Sequence, residues 1–274
     1  MVEQIRRGVT ASKARFVLFD FDGTLSLIRS GWVDVMVPMM TGILLDLKTG
    51  ESEADVKAIV EDYVARLTGK QTMYQMIELA RQVELRGGRP LEPLEYKRRY
   101  LALLHEKIRD RLEELRARQA SPEKYLVPGA RGMLETLSGM GLTMFLASGT
   151  DEVYMKEEAR LLDVEKYFNG GVYGALDDYK SFSKKILINR VIESTGCRGE
   201  DFLVFGDGYV EIENVKEVGG VAVGVATLEP ECREADSWKR QRLIGAGADF
   251  IIPNFECFPE LFDLLFPGKA VTKP

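Results

Sequence analysis

The chain has 274 residues, more than a typical single domain, and 45% of them are hydrophobic and 29% charged, which is ordinary for a globular protein with a substantial core. Its net charge of -6 argues against a nucleic-acid-binding protein, because no basic excess exists to neutralise phosphate backbones, but a small phosphorylated substrate stays possible. The three cysteines are odd in number and lack C-x-x-C spacing, so they indicate neither a disulfide framework nor a zinc site and favour a reducing compartment.

The N-terminal segment is polar and contains no apolar signal-peptide core. The longest apolar stretch, residues 35–45, is interrupted by Pro38 and Gly42 and is too short to cross a bilayer, so we interpret it as a buried helix or pocket lining. We therefore expect a cytoplasmic protein without a membrane partner. The only histidine, His105, lies in a charged helical segment, which argues against a Ser-His-Asp triad and a histidine metal cluster.

The first apolar run, residues 16–19, leads directly into two aspartates, Asp20 and Asp22, and then into Gly23 and Thr24. This pattern predicts a buried parallel strand whose carboxyl end, where ligands bind in open α/β sheets, carries both acids. Two carboxylates this close repel each other unless a cation, a proton or a lysine lies between them. Mg²⁺ suits a site of oxygen ligands and phosphate, so the stretch predicts a metal site, whereas helix capping would explain only one aspartate.

The next part of the chain has a helical period. Apolar residues recur at helical spacing over residues 52–67, 72–85 and 101–115, with a Gly-Gly-Arg-Pro break at residues 87–90. We expect residues 28–121 to form an inserted all-α cap domain, and residues 1–27 and 122–274 to form the α/β core.

After Ser121, which with Pro122 predicts a helix start, the chain alternates between strands and helices. A helix is predicted at residues 128–137. Strands are predicted at residues 142–147, 172–173, 202–205, 221–225 and 250–252, and helices at residues 152–162, 184–194, 211–217 and 258–266. Such alternation predicts an α/β fold with a doubly wound parallel sheet, that is, a Rossmann-like core with helices on both faces.

Polar residues follow two further predicted strands. Ser148 and Gly149 offer a hydroxyl and backbone N–H groups that can hold a phosphate oxygen, although a serine at a strand end is more often a helix cap. Asp207 lies between two glycines, and Glu211 follows four residues later, which fits further metal ligands.

A lysine-rich segment, Lys180, Lys184 and Lys185, precedes a predicted helix. One of these lysines can neutralise both the carboxylates and a transferring phosphoryl group. The other two are expected at the surface.

Together these residues resemble the four motifs of the haloacid dehalogenase superfamily. The sequence DFDGTL at residues 20–25 resembles the first motif, and Ser148 ends a strand like that of the second. Lys184 stands 23 positions before Asp207 (207 − 184), a separation typical of the third-motif lysine, and residues 206–211 resemble the acidic fourth motif. The helical block resembles the α-helical cap of the phosphoglycolate phosphatase-like branch.

The resemblance implies a role for each site residue. Asp20 would attack phosphorus and form an aspartyl-phosphate, and Asp22 would protonate the leaving oxygen and later deprotonate the attacking water. Ser148 and Lys184 would hold the phosphoryl oxygens, with Gly23 and Gly149 at the same phosphate site.

The implied cofactor is Mg²⁺, with Asp20 and Asp207 as side-chain ligands and Asp22 contributing its backbone carbonyl. The fourth motif commonly has aspartate where this chain has Glu211, and glutamate is one methylene longer. Glu211 therefore ligates directly, acts through water, or gives way to Glu213.

The resemblance leaves several functions open. Asp22 favours a Mg²⁺-dependent phosphatase of a small phosphorylated metabolite, because dehalogenases of the superfamily lack that acid. A phosphomutase of the β-phosphoglucomutase kind and a non-catalytic phosphate-binding protein on the same fold are the alternatives. Arg29 and Trp32 are candidates for substrate contact, against the simpler interpretation of a surface arginine and a core tryptophan. The substrate itself is not specified, and a homodimer stays possible.

Overall fold

The computed structural model describes residues 1–176, 178 and 181–269, and the chain divides into two compact units. The first comprises Met1–Ser30 and Glu114–Pro274, and it contains the whole β-sheet of the described residues. The second, Gly31–Glu113, is all-helical. It holds α1 (Val33–Leu45), α2 (Glu53–Leu67), α3 (Thr72–Leu85) and most of α4 (Pro93–Arg116).

The helices of the second unit form where the apolar spacing predicts them. In α2, Ser52 caps the N-terminus by accepting a hydrogen bond from the Asp55 backbone N–H at 3.2 Å, and buried Val56, Val60 and Val64 form one face. The apolar segment that contains Pro38 is helix α1. Among the described residues, no helix combines the length and the apolar character needed to span a bilayer.

The first unit is built on a seven-stranded sheet with the order β1-β7-β6-β5-β2-β3-β4. All neighbouring strands are parallel except the short β1, which pairs antiparallel with β7. The strands are β1 (Glu3–Gln4), β2 (Phe16–Phe19), β3 (Thr143–Asp151), β4 (Gly171–Ala175), β5 (Phe202–Gly206), β6 (Val221–Val225) and β7 (Phe250–Ile252).

Strand β2 lies in the interior of the sheet, between β5 and β3, and the chain extends the sheet from it in both directions. Strands β3 and β4 lie on one side of β2, and β5, β6 and β7 lie on the other. Because parallel crossovers are right-handed, this reversal places helices on opposite faces and opens a crevice at the carboxyl end of β2. The helices of this unit are α5 (Ala130–Gly139), α6 (Glu152–Leu161), α7 (Lys184–Thr195), α8 (Tyr209–Glu217), α9 (Ser237–Gly245) and α10 (Phe258–Leu265). The predicted fold class is confirmed.

Strand β2 is buried along its whole length, as its uninterrupted apolar run predicts for a central parallel strand. The Phe19 and Phe205 rings stack with centroids 5.0 Å apart, and Phe16 packs on Phe202 at 5.3 Å. The Phe19–Phe205 stack lies directly behind the carboxyl ends of β2 and β5, so the residues that follow those strands start from a rigid base.

Three local predictions were incomplete or wrong. Strand β3 does not end at Ala147 but continues to Asp151, because an irregularity in its pairing with β4 lets the backbone bend without leaving the sheet. Ser121 and Pro122 begin only a short 3₁₀ turn, Pro122–Tyr125. The apolar pattern does not predict β1 or α9, because β1 has two residues and α9 has only one buried residue, Leu243, and so gives little apolar periodicity.

Candidate functional site

The carboxyl ends of β2 and β5 bring two predicted site residues together. Phe19 pairs with Phe205, and the Asp20 backbone N–H donates to the Phe205 carbonyl at 2.9 Å, so Asp20 leaves the sheet beside Asp207. Gly23 then turns the chain with φ of 74°, and a Cβ there would lie 2.3 Å from Asp207 Oδ2. Only glycine fits this turn, both because φ is positive and because Asp207 occupies the space.

Three carboxylates meet at this edge of the sheet. Each of Asp20, Asp207 and Glu211 offers one oxygen, and these oxygens lie within 4.8 Å of one another. Glu211 is fully buried in the first turn of α8, where its Oε1 accepts a hydrogen bond from the Gly208 backbone N–H at 2.8 Å. Thr24 Oγ1 accepts from the Asp207 backbone N–H at 2.9 Å and so ties the two loops together.

Lys184 joins the carboxylate cluster from the first turn of α7. Its Nζ donates to Asp20 Oδ1 at 2.8 Å and to Glu211 Oε2 at 2.9 Å. The neighbouring Lys185 instead points to the surface and pairs with Glu217. Lys180 lies outside the described residues. Of the two lysines described, Lys184 alone reaches the cluster.

The buried charges shift one another's pKa values. Burial raises the pKa of Asp20 well above its ordinary value, nearby Lys184 opposes that rise, and the Glu211 and Asp207 carboxylates add to it. Burial alone would lower the pKa of Lys184, but Asp20 and Glu211 outweigh it and the net pKa is raised. Lys184 therefore stays a cation, and one further positive charge at the cluster would favour the ionised form of Asp20.

Asp22 is held apart from the cluster by two hydroxyl groups. Ser148 Oγ donates to Asp22 Oδ2 at 3.1 Å, and Thr150 Oγ1 donates to the same oxygen at 2.8 Å. The Thr150 backbone N–H in turn donates to Ser148 Oγ at 3.0 Å. Within the described part of the chain, the other oxygen, Asp22 Oδ1, is buried and has no hydrogen-bond partner. The two Asp22 oxygens therefore differ, since the hydroxyl groups bind only Oδ2.

Arg29 is buried rather than at the surface. Its guanidinium makes hydrogen bonds of 2.7 and 3.1 Å to the buried Glu158 carboxylate, and its Nε lies 3.8 Å from Asp22 Oδ1. Burial raises the pKa of Glu158, and the charge of Arg29 opposes that rise. The pair fixes Arg29 beside Asp22, while a contact between Arg29 and substrate stays a prediction.

A second lysine approaches the cluster from α9. Lys239 Nζ lies 3.0 Å from Asp207 Oδ2 and 3.2 Å from Glu229 Oε1. Ser30 Oγ donates to the other oxygen of Glu229. Burial alone would lower the pKa of Lys239, but Asp207 and Glu229 outweigh it and the net pKa is raised.

The carboxylate cluster fits a hard divalent cation. Three carboxylate oxygens within 4.8 Å are the donors that Mg²⁺ prefers, and Lys184 offsets only part of their charge. Asp22 is not among the three, because its carboxylate is turned toward Ser148 and Thr150. The predicted contact of Asp22 with the metal therefore rests on its backbone carbonyl alone. Since both Glu211 oxygens already accept hydrogen bonds, direct ligation by Glu211 would have to share an oxygen.

Four residues at or near the site were not predicted from the sequence: Thr150, Glu158, Glu229 and Lys239. Thr150 had a signal, because it follows Ser148 by two residues at a predicted strand end. The other three residues had no such signal. Glu158 lies on a helix face, Glu229 lies in a loop, and Lys239 lies in α9, which the apolar pattern does not predict.

Comparison with known proteins agrees with this architecture. The family model for haloacid dehalogenase-like hydrolases matches residues 14–219. A 5'-nucleotidase from Pseudomonas aeruginosa is 28% identical over 103 residues, which are 38% of this chain and 46% of that protein, so the matched region spans about half of this relative's length.

Two solved structures share the fold. A protein provisionally named a beta-phosphoglucomutase, from Thermotoga maritima, is 21% identical with a TM-score of 0.55, and the match covers 92% of this chain and all of that one. A predicted phosphoglycolate phosphatase from Haemophilus somnus is 14% identical with a TM-score of 0.59, and the match covers 91% of this chain and 98% of that one.

Proposed function

The chain belongs to the haloacid dehalogenase-like hydrolases, and on that basis we propose that it is a Mg²⁺-dependent phosphatase acting on a small phosphomonoester through an aspartyl-phosphate. The observation that carries the proposal is the pair of carboxylates in the first motif. Asp20 is buried against Lys184, and Asp22 keeps one buried oxygen, Oδ1, that accepts no hydrogen bond from the described residues. A nucleophile and a separate proton donor are what phosphoester cleavage requires.

In the first step, an Asp20 carboxylate oxygen attacks phosphorus while the bond to the ester oxygen breaks. The leaving oxygen takes a proton from Asp22, whose Oδ1 accepts no hydrogen bond from the described residues and would carry that proton. Ser148 and Thr150 bind only Oδ2 and so keep the carboxyl group in one orientation. The products are an aspartyl-phosphate and the free alcohol.

In the second step, Asp22 is a carboxylate and accepts a proton from water. The water oxygen attacks phosphorus, the bond to Asp20 breaks, and inorganic phosphate leaves with Asp20 restored. Proton and charge both balance over the two steps, since the proton given to the alcohol is recovered from water.

The remaining site residues position charge. Lys184 would contact the transferring phosphoryl group beside Asp20, and the Ser148 hydroxyl with the Gly23 and Gly149 backbone would bind its oxygens. Asp20, Asp207 and Glu211, with the Asp22 carbonyl, would hold Mg²⁺. When bound, the cation neutralises charge on the phosphoryl oxygens and on Asp20.

The substrate is proposed only as a class. The name of the P. aeruginosa relative makes a nucleoside 5'-monophosphate one member of a test panel, beside sugar phosphates and phosphoglycolate. We also propose a cytoplasmic location, which is supported by the three free cysteines.

We expect the purified protein to release phosphate from an aryl phosphate with Mg²⁺, to stop when a chelator is added, and to recover when Mg²⁺ is restored in excess. The measurement is inorganic phosphate over time, followed by the substrate panel. An isomeric sugar phosphate formed from a sugar 1-phosphate would identify a mutase instead. Metal binding without turnover on any substrate would identify a binding protein.

We expect Asp22→Asn to separate the two chemical steps. With an alkyl phosphate, kcat should fall by about 10²–10⁴-fold because the leaving alkoxide needs a proton. With p-nitrophenyl phosphate the leaving group needs none, so the first step should persist and the second should stall. Rapid mixing should then show a burst of nitrophenol close to the enzyme concentration. An equal loss of kcat on both substrates, with no burst, would contradict the assignment of Asp22.

A further inference from the structure

The Glu229–Lys239 pair lies beside the carboxylate cluster but outside the four motifs. Lys239 shares its ammonium between Glu229 and Asp207, at 3.2 and 3.0 Å. The Lys239 side chain is 17% exposed and that of Glu229 is 23% exposed, so solvent screens the two charges only partly. Ser30 holds the second Glu229 oxygen, which fixes the carboxylate toward the lysine.

Asp207 thus takes part in two charge systems. One of its oxygens, Oδ2, pairs with the Lys239 ammonium, and an oxygen of the same carboxylate belongs to the cluster with Asp20 and Glu211. A cation bound at the cluster would share Asp207 with Lys239. Lys239 and the metal ion would then both act on one carboxylate, and their positive charges would repel each other. The positive charge of Lys239 therefore weakens metal binding, and the negative charge of Glu229 offsets part of that effect.

We propose that Glu229 and Lys239 are positioning residues that set the affinity of the Asp20–Asp207–Glu211 cluster for its divalent cation through their opposite charges. The inference rests on the proposed function, since it assumes that this cluster binds Mg²⁺. It assigns to the pair a role in how tightly the metal is held, not in the chemical steps.

Loss of Lys239 has two opposed effects on metal binding. It removes a hydrogen bond that orients Asp207, which weakens binding, and it removes a positive charge close to the cation, which strengthens binding. A unit charge acting on a divalent ion a few ångströms away in a partly buried site outweighs a single hydrogen bond. Tighter binding is therefore the expected net result.

The test is isothermal titration of the metal-free protein with Mg²⁺, repeated with Mn²⁺, for two single variants and their combination. Lys239→Met should lower the Kd about tenfold, and Glu229→Gln should raise it about tenfold. The double variant restores the net charge of the pair, so its Kd should return to within about threefold of the native value. A poorly folded variant would bind metal less tightly, so the gain at Lys239→Met cannot come from misfolding.

Matched controls come from an ion pair on α7 and α8. Lys185 and Glu217 pair at 2.5 Å with both side chains 55% exposed, and neither contacts the carboxylate cluster. Lys185→Met and Glu217→Gln make the same chemical changes in a screened position, so both should leave the Kd within about twofold of the native value.

Opposite shifts of the two singles, cancelled in the double variant, would support the inference. If both singles weaken binding, the pair only orients Asp207 and the inference is overturned, and unchanged Kd values overturn it as well. In both of these cases a native protein that binds Mg²⁺ and releases phosphate keeps the proposed function intact. If the native protein binds no divalent cation, the metal site and the inference fall together.

Discussion

Replacing Asp20 with asparagine is expected to abolish phosphate release, with kcat/KM falling by about 10⁴-fold or more on every substrate that the native protein hydrolyses. Asparagine keeps the size and one acceptor oxygen for the 2.8 Å hydrogen bond from Lys184, but it cannot attack phosphorus. Mass spectrometry of the native protein, quenched in acid during turnover, should show one phosphoryl group on the peptide containing Asp20. The variant should show none.

The same substitution should change how the stability of the metal-free protein depends on pH. Burial raises the pKa of Asp20 in the folded state, so folding binds a proton at this position. The stabilising contribution of protonated Asp20 is therefore complete below the ordinary carboxyl pKa and is lost as pH rises through the raised folded-state pKa. Asparagine does not titrate, so the Tm of the variant should rise relative to that of the native protein as pH increases, by about 2–4 °C for each kcal/mol.

Mg²⁺ supplies the control for this reasoning. A bound cation should reverse this trend with pH, because it stabilises the ionised native carboxylate and gains less from the amide. A Tm difference between the two proteins that stays constant across pH without metal would contradict the raised pKa of Asp20. Turnover by the variant, with a phosphorylated aspartyl peptide detected during that turnover, would contradict the assignment of Asp20 as the nucleophile.

Replacing Lys184 with methionine is expected to have the second large effect. It leaves Asp20 and Glu211 buried together without their shared ammonium, and breaking a buried ion pair by removing one partner costs about 3–5 kcal/mol. Denaturant unfolding should show this loss of the free energy of unfolding. Phosphate release should fall by about 10²–10³-fold, because a fixed positive charge at the phosphoryl group is lost.

Lys185→Met is the matched control, one residue along the same helix. Its ammonium pairs with Glu217 at the surface, so the free energy of unfolding should change by no more than about 0.5 kcal/mol and turnover should be unchanged. Loss of turnover in Lys185→Met, with Lys184→Met active, would reverse the assignment.

Much of the molecule could be predicted from the sequence because the relevant signals are local. An uninterrupted apolar run predicts β2, because a strand buried on both faces is apolar at every position. The apolar spacing of residues 52–67 predicts α2, because a helix buried on one face is apolar at every third or fourth position. The parallel sheet follows from alternation. Strand order at a switch point then brings Asp20 and Asp207 to one edge of the sheet without any knowledge of their side-chain contacts.

The family and the hydrolase class were likewise predicted from motifs and are confirmed by the match over residues 14–219. Motif spacing works because three of the motifs lie at or near strand ends and Lys184 begins a helix, and the number of residues between these positions is set by the helices and strands that connect them. The domain boundaries and the individual catalytic roles stay predictions.

The sequence by itself thus determined the fold class and which strand ends carry acids, whereas only the tertiary structure decided which charges touch. Spacing favoured Lys184 over Lys185, but adjacent helical residues point about 100° apart, and only the packing of α7 shows which one faces the acids. Glu158 and Lys239 are 129 and 32 residues from the partners they neutralise, Arg29 and Asp207. No periodicity or local spacing encodes such pairs, because the interaction between two charges depends on their distance in space and not on their separation along the chain.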